Sequence, residues 1–170
     1  MAAVHEAGHA VIAMHLGVDV LDADVRPTHT HDLYSKKSYV GRATYDRPSN
    51  ADQHRLIAVA GMVAEHVWKA RGPACEHWWD TVSDPACMSD TDWAGTGCEP
   101  GEPDDALIEA VETVLPLLAG ELQPKLTELS RRLIEADSRQ TIEAIMNVKA
   151  LLGYEVAASS DNARATRAVA

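Results

Sequence analysis

The sequence contains no phenylalanine, and aromatic residues make up 5% of its 170 positions. Its core must therefore come from Ala, Val, Leu and Ile with a few Trp and Met, a set that favours helices packed closely through small side chains. Cysteine is scarce as well. Cys75, Cys87 and Cys98 are odd in number and widely spaced, which argues against a disulfide framework and for a reducing, cytoplasmic setting. No stretch approaches the roughly 20 continuous apolar residues needed to cross a bilayer, and the N-terminus lacks the basic flank and apolar core of a signal peptide, so a soluble chain with no membrane span is expected. Positive charge is also in deficit: 15 basic against 26 acidic side chains give a net charge of -11, which repels a nucleic-acid backbone and speaks against such a partner.

What is present suits one globular unit, since 46% of the residues are hydrophobic. Neither an internal repeat nor a Gly/Ser linker divides the chain. The reading is a single domain over residues 1–155 with a disordered tail over 156–170, mainly α with a small β-sheet. His5, His9, Ile12 and Leu16 recur at spacings of one helical face, and Gly17 supplies a stop. GVDVLDADVRP and SYVGRATY read as two short strands joined by a loop. A helix is expected from Ser49 or Asn50, with Leu56, Ala60, Val63 and Val67 on one face and a stop at Arg71-Gly72-Pro73. The Trp-, Asp- and Gly-rich segment that follows should be mostly loop, with a turn of helix at each Trp site. Leu107, Val111, Val114 and Leu118 then form one stripe, and Leu122, Leu126, Leu129 and Leu133 another, with Pro116 and Pro124 limiting how continuous they can be and Gly120 as a joint. A last helix is expected over 138–152.

The chemistry is concentrated in HEAGH, residues 5 to 9. Two histidines four apart on a helix place both imidazoles on one face about 6 Å apart, within reach of one ion. Glu6, one residue after the first histidine, projects beside that face, where it can take a proton from water and pass it to a leaving amine. Zinc accepts nitrogen and carboxylate ligands and leaves a position open. HExxH is short and also occurs by chance in proteins without metal, but here it lies on an inward-facing stripe, with Gly8 giving room and Ala7 and Ala10 keeping the flanks slim. The longer metzincin continuation is missing, so the third ligand must come from elsewhere. His15 faces away and reads as a surface or capping residue.

HEAGHAV, the AGMVAE pattern of the second helix and the strand SYVGRATY together resemble the zinc peptidase domain of FtsH-type ATP-dependent proteases, over about residues 1 to 153. The resemblance implies a zincin-like helical fold with one zinc (Zn2+) held by His5, His9 and an aspartate of a later helix, and Glu6 as general base. SDTDWAGT looks most like the family's ligand segment, which puts Asp92 first, Asp90 second and Asp84 third. Ser89-Asp90-Thr91-Asp92 also reads as the start of a capped helix, which would fix Asp92 in the first turn. The implied function is a zinc metallopeptidase acting on peptides or unfolded protein. The family works as six-membered rings beside an ATPase; no GxxxxGK[ST] occurs in these residues, so a homo-oligomer and a separate ATPase or delivery partner are the implied associates. The rival from another class is a catalytically silent peptidase-fold module used for binding or regulation. Glu65 reads either as support for a ligand histidine or as a surface acid, His54 and His66 as surface or boundary residues. The cysteines read as buried free thiols in preference to a second zinc site with His77, and Trp78, Trp79 and Trp93 as core in preference to cleft lining.

Overall fold

The computed structural model describes residues 1–27, 39–70 and 77–135. Within them the chain runs α1 (Ala2–His15), β1 (Val20–Pro27), β2 (Tyr39–Tyr45), α2 (Ala51–Ala70), α3 (Trp78–Val82), a 3-10 turn (Pro85–Cys87), α4 (Asp90–Thr96), α5 (Asp105–Ala119) and α6 (Gln123–Glu135). The protein is mainly helical with a small two-stranded antiparallel sheet. The loop over 28–38, the stop at Arg71-Gly72-Pro73, Cys75, the helix expected over 138–152 and the tail lie outside the described residues. No helix among the described residues is long and apolar enough to cross a membrane.

The first helix departs from the single apolar stripe that its spacing suggests. From Ala3 to Met14 every residue except His5 is buried, because α2, α6 and both strands pack around α1. A helix of this length is marginal alone in water, so burial and not propensity holds it. Small side chains make that enclosure feasible. A Cβ at Gly8 would lie 2.5 Å from the Ala60 carbonyl oxygen and 2.6 Å from the Ala64 Cβ, so α1 and α2 touch almost backbone to backbone. Leu16 caps α1 and Gly17 follows at φ 75°, the left-handed conformation that turns the chain toward β1.

The two strands pair with Ala23 opposite Ala43, Asp24 opposite Arg42 and Val25 opposite Gly41. Side chains alternate across the sheet, and fully buried Ala23 marks the face turned to the core. The second expected strand is found at Tyr39–Tyr45; the first starts at Val20, after the chain has left the α1 turn.

Farther along, both Trp sites nucleate short helices. Trp93 is 1% exposed and its indole N–H donates to the Pro85 carbonyl at 2.9 Å, pinning α4 to the preceding turn. Trp78 is buried too, but Trp79 is 46% exposed, which corrects its reading as core: in so short a helix adjacent positions cannot both face inward. The stripe of Leu107, Val111, Val114 and Leu118 is buried as expected, as are Leu122, Leu126, Leu129 and Leu133. Gly120 falls at the joint between α5 and α6 as expected, but the limit on continuity expected at Pro116 does not appear. α5 continues through it to Ala119, since an exposed proline in the last turn forfeits one backbone bond where the helix is about to end anyway. Cys87 and Cys98 are free thiols, half-buried where full burial was expected, because each lies at the edge of a turn.

Candidate metal centre

Four elements meet at one point. α1 supplies His5, Glu6 and His9; α4 supplies Asp92; α2 supplies Glu65 and the backbone beneath the rings; β2 forms the facing wall. The imidazoles of His5 and His9 stand edge to face with centroids 4.7 Å apart. Nε2 of His5 lies 3.2 Å from Oδ2 of Asp92, and Nε2 of His9 lies 3.3 Å from its Oδ1. One ligand atom from each of these three residues falls within 4.8 Å of the others, so His5, His9 and Asp92 could hold a metal ion. Among the described residues they are the one such cluster.

Each ligand is held from behind. Nδ1 of His9 donates to the Ile57 carbonyl at 2.7 Å, and Nδ1 of His5 donates to Glu65 at 3.2 Å, which leaves Nε2 of both rings for the centre. Gly61 of α2 permits this arrangement. A Cβ there would lie 2.5 Å from both Nε2 atoms. Asp92 is fixed by a complete capping box: Ser89 Oγ accepts from the Asp92 N–H at 3.2 Å and the Ser89 backbone N–H donates back to Oδ2 at 3.4 Å, while the Ser89 hydroxyl adds a bond to Oδ2 at 2.8 Å. The other two candidate aspartates are excluded from the cluster. Asp90 is exposed one turn position away, and Asp84 caps the 3-10 turn by accepting from the Ala86 N–H at 2.9 Å.

The electrostatics follow from burial. Loss of solvent, the largest influence on His5, would drive its pKa down, but hydrogen bonds to Asp92 and Glu65 outweigh it and hold the value at about 10. Glu65, bonded to His5, drops to about 2. Burial would raise Asp92, yet the His5 bond and the neighbouring imidazoles bring it below its ordinary value. His9 is different: burial lowers its pKa, leaving it neutral. Its one proton is committed to Ile57, so the lone pair of Nε2 faces a carboxylate oxygen with no proton between them. A cation satisfies both, and two imidazoles with one carboxylate form a donor set that suits zinc.

Glu6 is 7% exposed and lies against β2. A Cβ at Gly41 would collide with its side chain, and a backbone hydrogen bond from Ala43 orients its carboxylate. Burial is the main reason its pKa rises to about 7, against the opposing pull of His5. A carboxyl group poised there can both accept and return a proton at neutral pH.

The cleft in front of these groups has a volume of about 600 Å³. Its wall includes every residue from Val40 to Tyr45, along with Ser89 and Thr91. Consecutive residues from both faces of a strand border one space only when that space lies along the strand edge. Some contributors were invisible to motif reading: the Ile57 carbonyl is a backbone atom, and Arg42 and Tyr45 carry no signature. Tyr45 is half-buried, and burial, with the charges of Asp92 and Glu6, raises its pKa so that its phenol stays protonated. The open question on Glu65 resolves toward support of His5. His54 is exposed and His66 lies at a boundary beside Trp78, as expected, and His15 is exposed.

Comparison with protein-family models and with curated proteins gives no match to this chain.

Proposed function

We propose that this chain is a zinc-dependent metallopeptidase of the HExxH type, a zincin-like domain akin to the FtsH-type peptidases that its sequence resembles. One observation carries the reading: two imidazoles of a single helix converge on both oxygens of Asp92 while Glu6, beside them, faces the same cleft along a strand edge. His5, His9 and Asp92 would hold the zinc. When bound, the ion supplies Lewis acidity, lowering the pKa of water toward about 7 and polarising a carbonyl.

The remaining work falls to the side chains. Glu6, with its pKa near neutrality, takes a proton from water and delivers it to the leaving amine. Ala43 fixes the direction of that carboxylate. Apart from the Ala43 N–H, which Glu6 holds, the edge of β2 away from β1 is unpaired among the described residues and offers backbone donors and acceptors to an extended peptide, which adds to the sheet as a further strand. Such an edge suits unfolded protein or short peptides, because a folded substrate has no unpaired strand to offer. A cytoplasmic setting fits the free thiols of Cys87 and Cys98, and a separate ATPase or other delivery partner would supply unfolded chains.

The test is metal content and peptide cleavage measured on the same samples of wild type, Glu6→Gln and Asp92→Ala. The expected result is one zinc per chain in wild type and Glu6→Gln, with cleavage reduced about 100- to 10,000-fold in the latter, and loss of both in Asp92→Ala. Full cleavage by Glu6→Gln, or less than about a tenth of one zinc per chain in wild type purified without chelator, would overturn the reading.

A further inference from the structure

Among the described residues that line the cleft, Arg42 is the single lysine or arginine, and its side chain is exposed. The chain as a whole carries a net charge of -11, so a guanidinium beside the site is against the prevailing composition. The carboxylate that stands opposite it in the strand register is Asp24. That group is already taken, because Arg26, two residues along the same strand and on the same face, pairs with Asp24. Among the described residues Arg42 has no ion-pair partner.

Strand alternation sets the direction in which this charge is presented. A Cβ at Gly41 would meet Glu6, and Ala43 shares that face opposite fully buried Ala23, so Val40, Arg42 and Thr44 belong to the opposite face of the sheet. A peptide added along the β2 edge alternates in the same way. Its inward residues approach Glu6 and the metal ligands, and its outward residues stand beside Val40, Arg42 and Thr44, close enough for a lateral pair. We propose that Arg42 gives the cleft a preference for peptides with an acidic side chain at an outward position of the added strand, a specificity that rests on the peptidase reading above.

Distance decides whether the overall negative charge defeats this preference. At physiological salt, charges more than about 8 Å away are largely screened, whereas a guanidinium and a carboxylate in lateral contact are not. The general acidity slows encounter, and the local pair sets the choice between bound peptides.

The experiment uses fluorescence-quenched decapeptides in which Glu or Lys is placed in turn at each central position, assayed with zinc-loaded wild type, Arg42→Gln and Arg42→Glu. At one or more alternating positions wild type should favour Glu over Lys by about tenfold in kcat/KM, since attraction to one and repulsion of the other both count. The ratio should fall to near unity in Arg42→Gln and invert in Arg42→Glu. A ratio of unity at every position in wild type, or one unchanged in Arg42→Glu, overturns the proposal. The same peptides are titrated by fluorescence anisotropy against Glu6→Gln with and without Arg42→Glu. If wild type cleaves no peptide, the peptidase reading fails, and the Glu-to-Lys ratio of affinities then decides the role of Arg42 independently: inversion by Arg42→Glu sustains it, and no change sinks it.

Discussion

Replacing Gly61 by alanine sets helix propensity against the candidate metal centre. In an exposed helix interior the change would stabilise by about 1 kcal/mol. Here the new Cβ would sit 2.5 Å from Nε2 of His5 and 2.5 Å from Nε2 of His9, about 0.9 Å inside ordinary van der Waals contact with each. Rotating one ring cannot relieve both clashes. His9 is tied to the Ile57 carbonyl and His5 to Glu65, so a ring that swings away gives up a hydrogen bond worth about 1 kcal/mol or more. The alternative is for α2 to retreat from α1, which the Gly8 contact with Ala60 and Ala64 opposes. Overpacking of this kind costs about 1–3 kcal/mol, enough to cancel the propensity gain.

Disturbing the supports of a metal ligand typically costs about 10- to 100-fold in affinity, and Gly61→Ala disturbs two ligands at once, so a loss of about 100-fold in zinc affinity is expected. At saturating zinc that corresponds to about 2.7 kcal/mol less metal-dependent stabilisation. The assay is a competition titration with a chromophoric chelator beside thermal melts with and without zinc. Zinc affinity within threefold of wild type in Gly61→Ala would refute the placement of both Nε2 atoms over Gly61, and with it the geometry of the centre.

Two other outcomes are expected. Gly8→Ala drives a Cβ to 2.5 Å from the Ala60 carbonyl oxygen, a backbone atom that cannot turn aside, so chemical denaturation should show a loss of about 1–3 kcal/mol whether or not zinc is present; unchanged stability would contradict the close packing of α1 on α2. Zinc binding should strengthen with pH, because the ion must displace the proton that Asp92 and Glu65 hold on His5 up to about pH 10. That same proton contributes stability to the metal-free fold, fully present below the ordinary histidine value of 6.5 and lost as pH rises through about 10. The gap in Tm with and without zinc should therefore widen from pH 6.5 to 9, and calorimetry in buffers of different ionisation enthalpy should detect about one proton released per zinc at pH 7.5; a gap that narrows with pH would refute the assignment.

Much of this site was legible because its parts are local. His5, Glu6 and His9 lie within a turn or so of one helix, and helical spacing alone puts the two imidazoles together. Asp92 is 87 residues from His5, a separation across which periodicity says nothing. Its rank above Asp90 and Asp84 rests on the resemblance of SDTDWAGT to the family's ligand segment, with the capped-helix start as support, and the capping box found at Ser89 leaves Asp90 turned to solvent. What could not be read from spacing depends on what packs beside it. α1 carries small residues on every side, and only the presence of α2, α6 and both strands decides that all of them are buried. Pro116 signals a break by local chemistry, yet a proline in the final exposed turn interrupts little.

The same contrast explains why the glycines matter more than the polar residues around them. Gly8, Gly41 and Gly61 each occupy a point where another element comes within contact of the backbone: α2 on α1, Glu6 on β2, and the imidazole edges on α2. Each is a position where any side chain would force apart two of the elements that build the centre. His5, His9 and Asp92 determine what could bind, but their distances are set by how closely α1, α2 and β2 approach, and that approach is governed by residues with no side chain. A sequence that kept HEAGH and the capping box but replaced Gly41 and Gly61 with alanine would retain every donor of the centre and still lack the geometry to bring Glu6 and the two Nε2 atoms to one cleft.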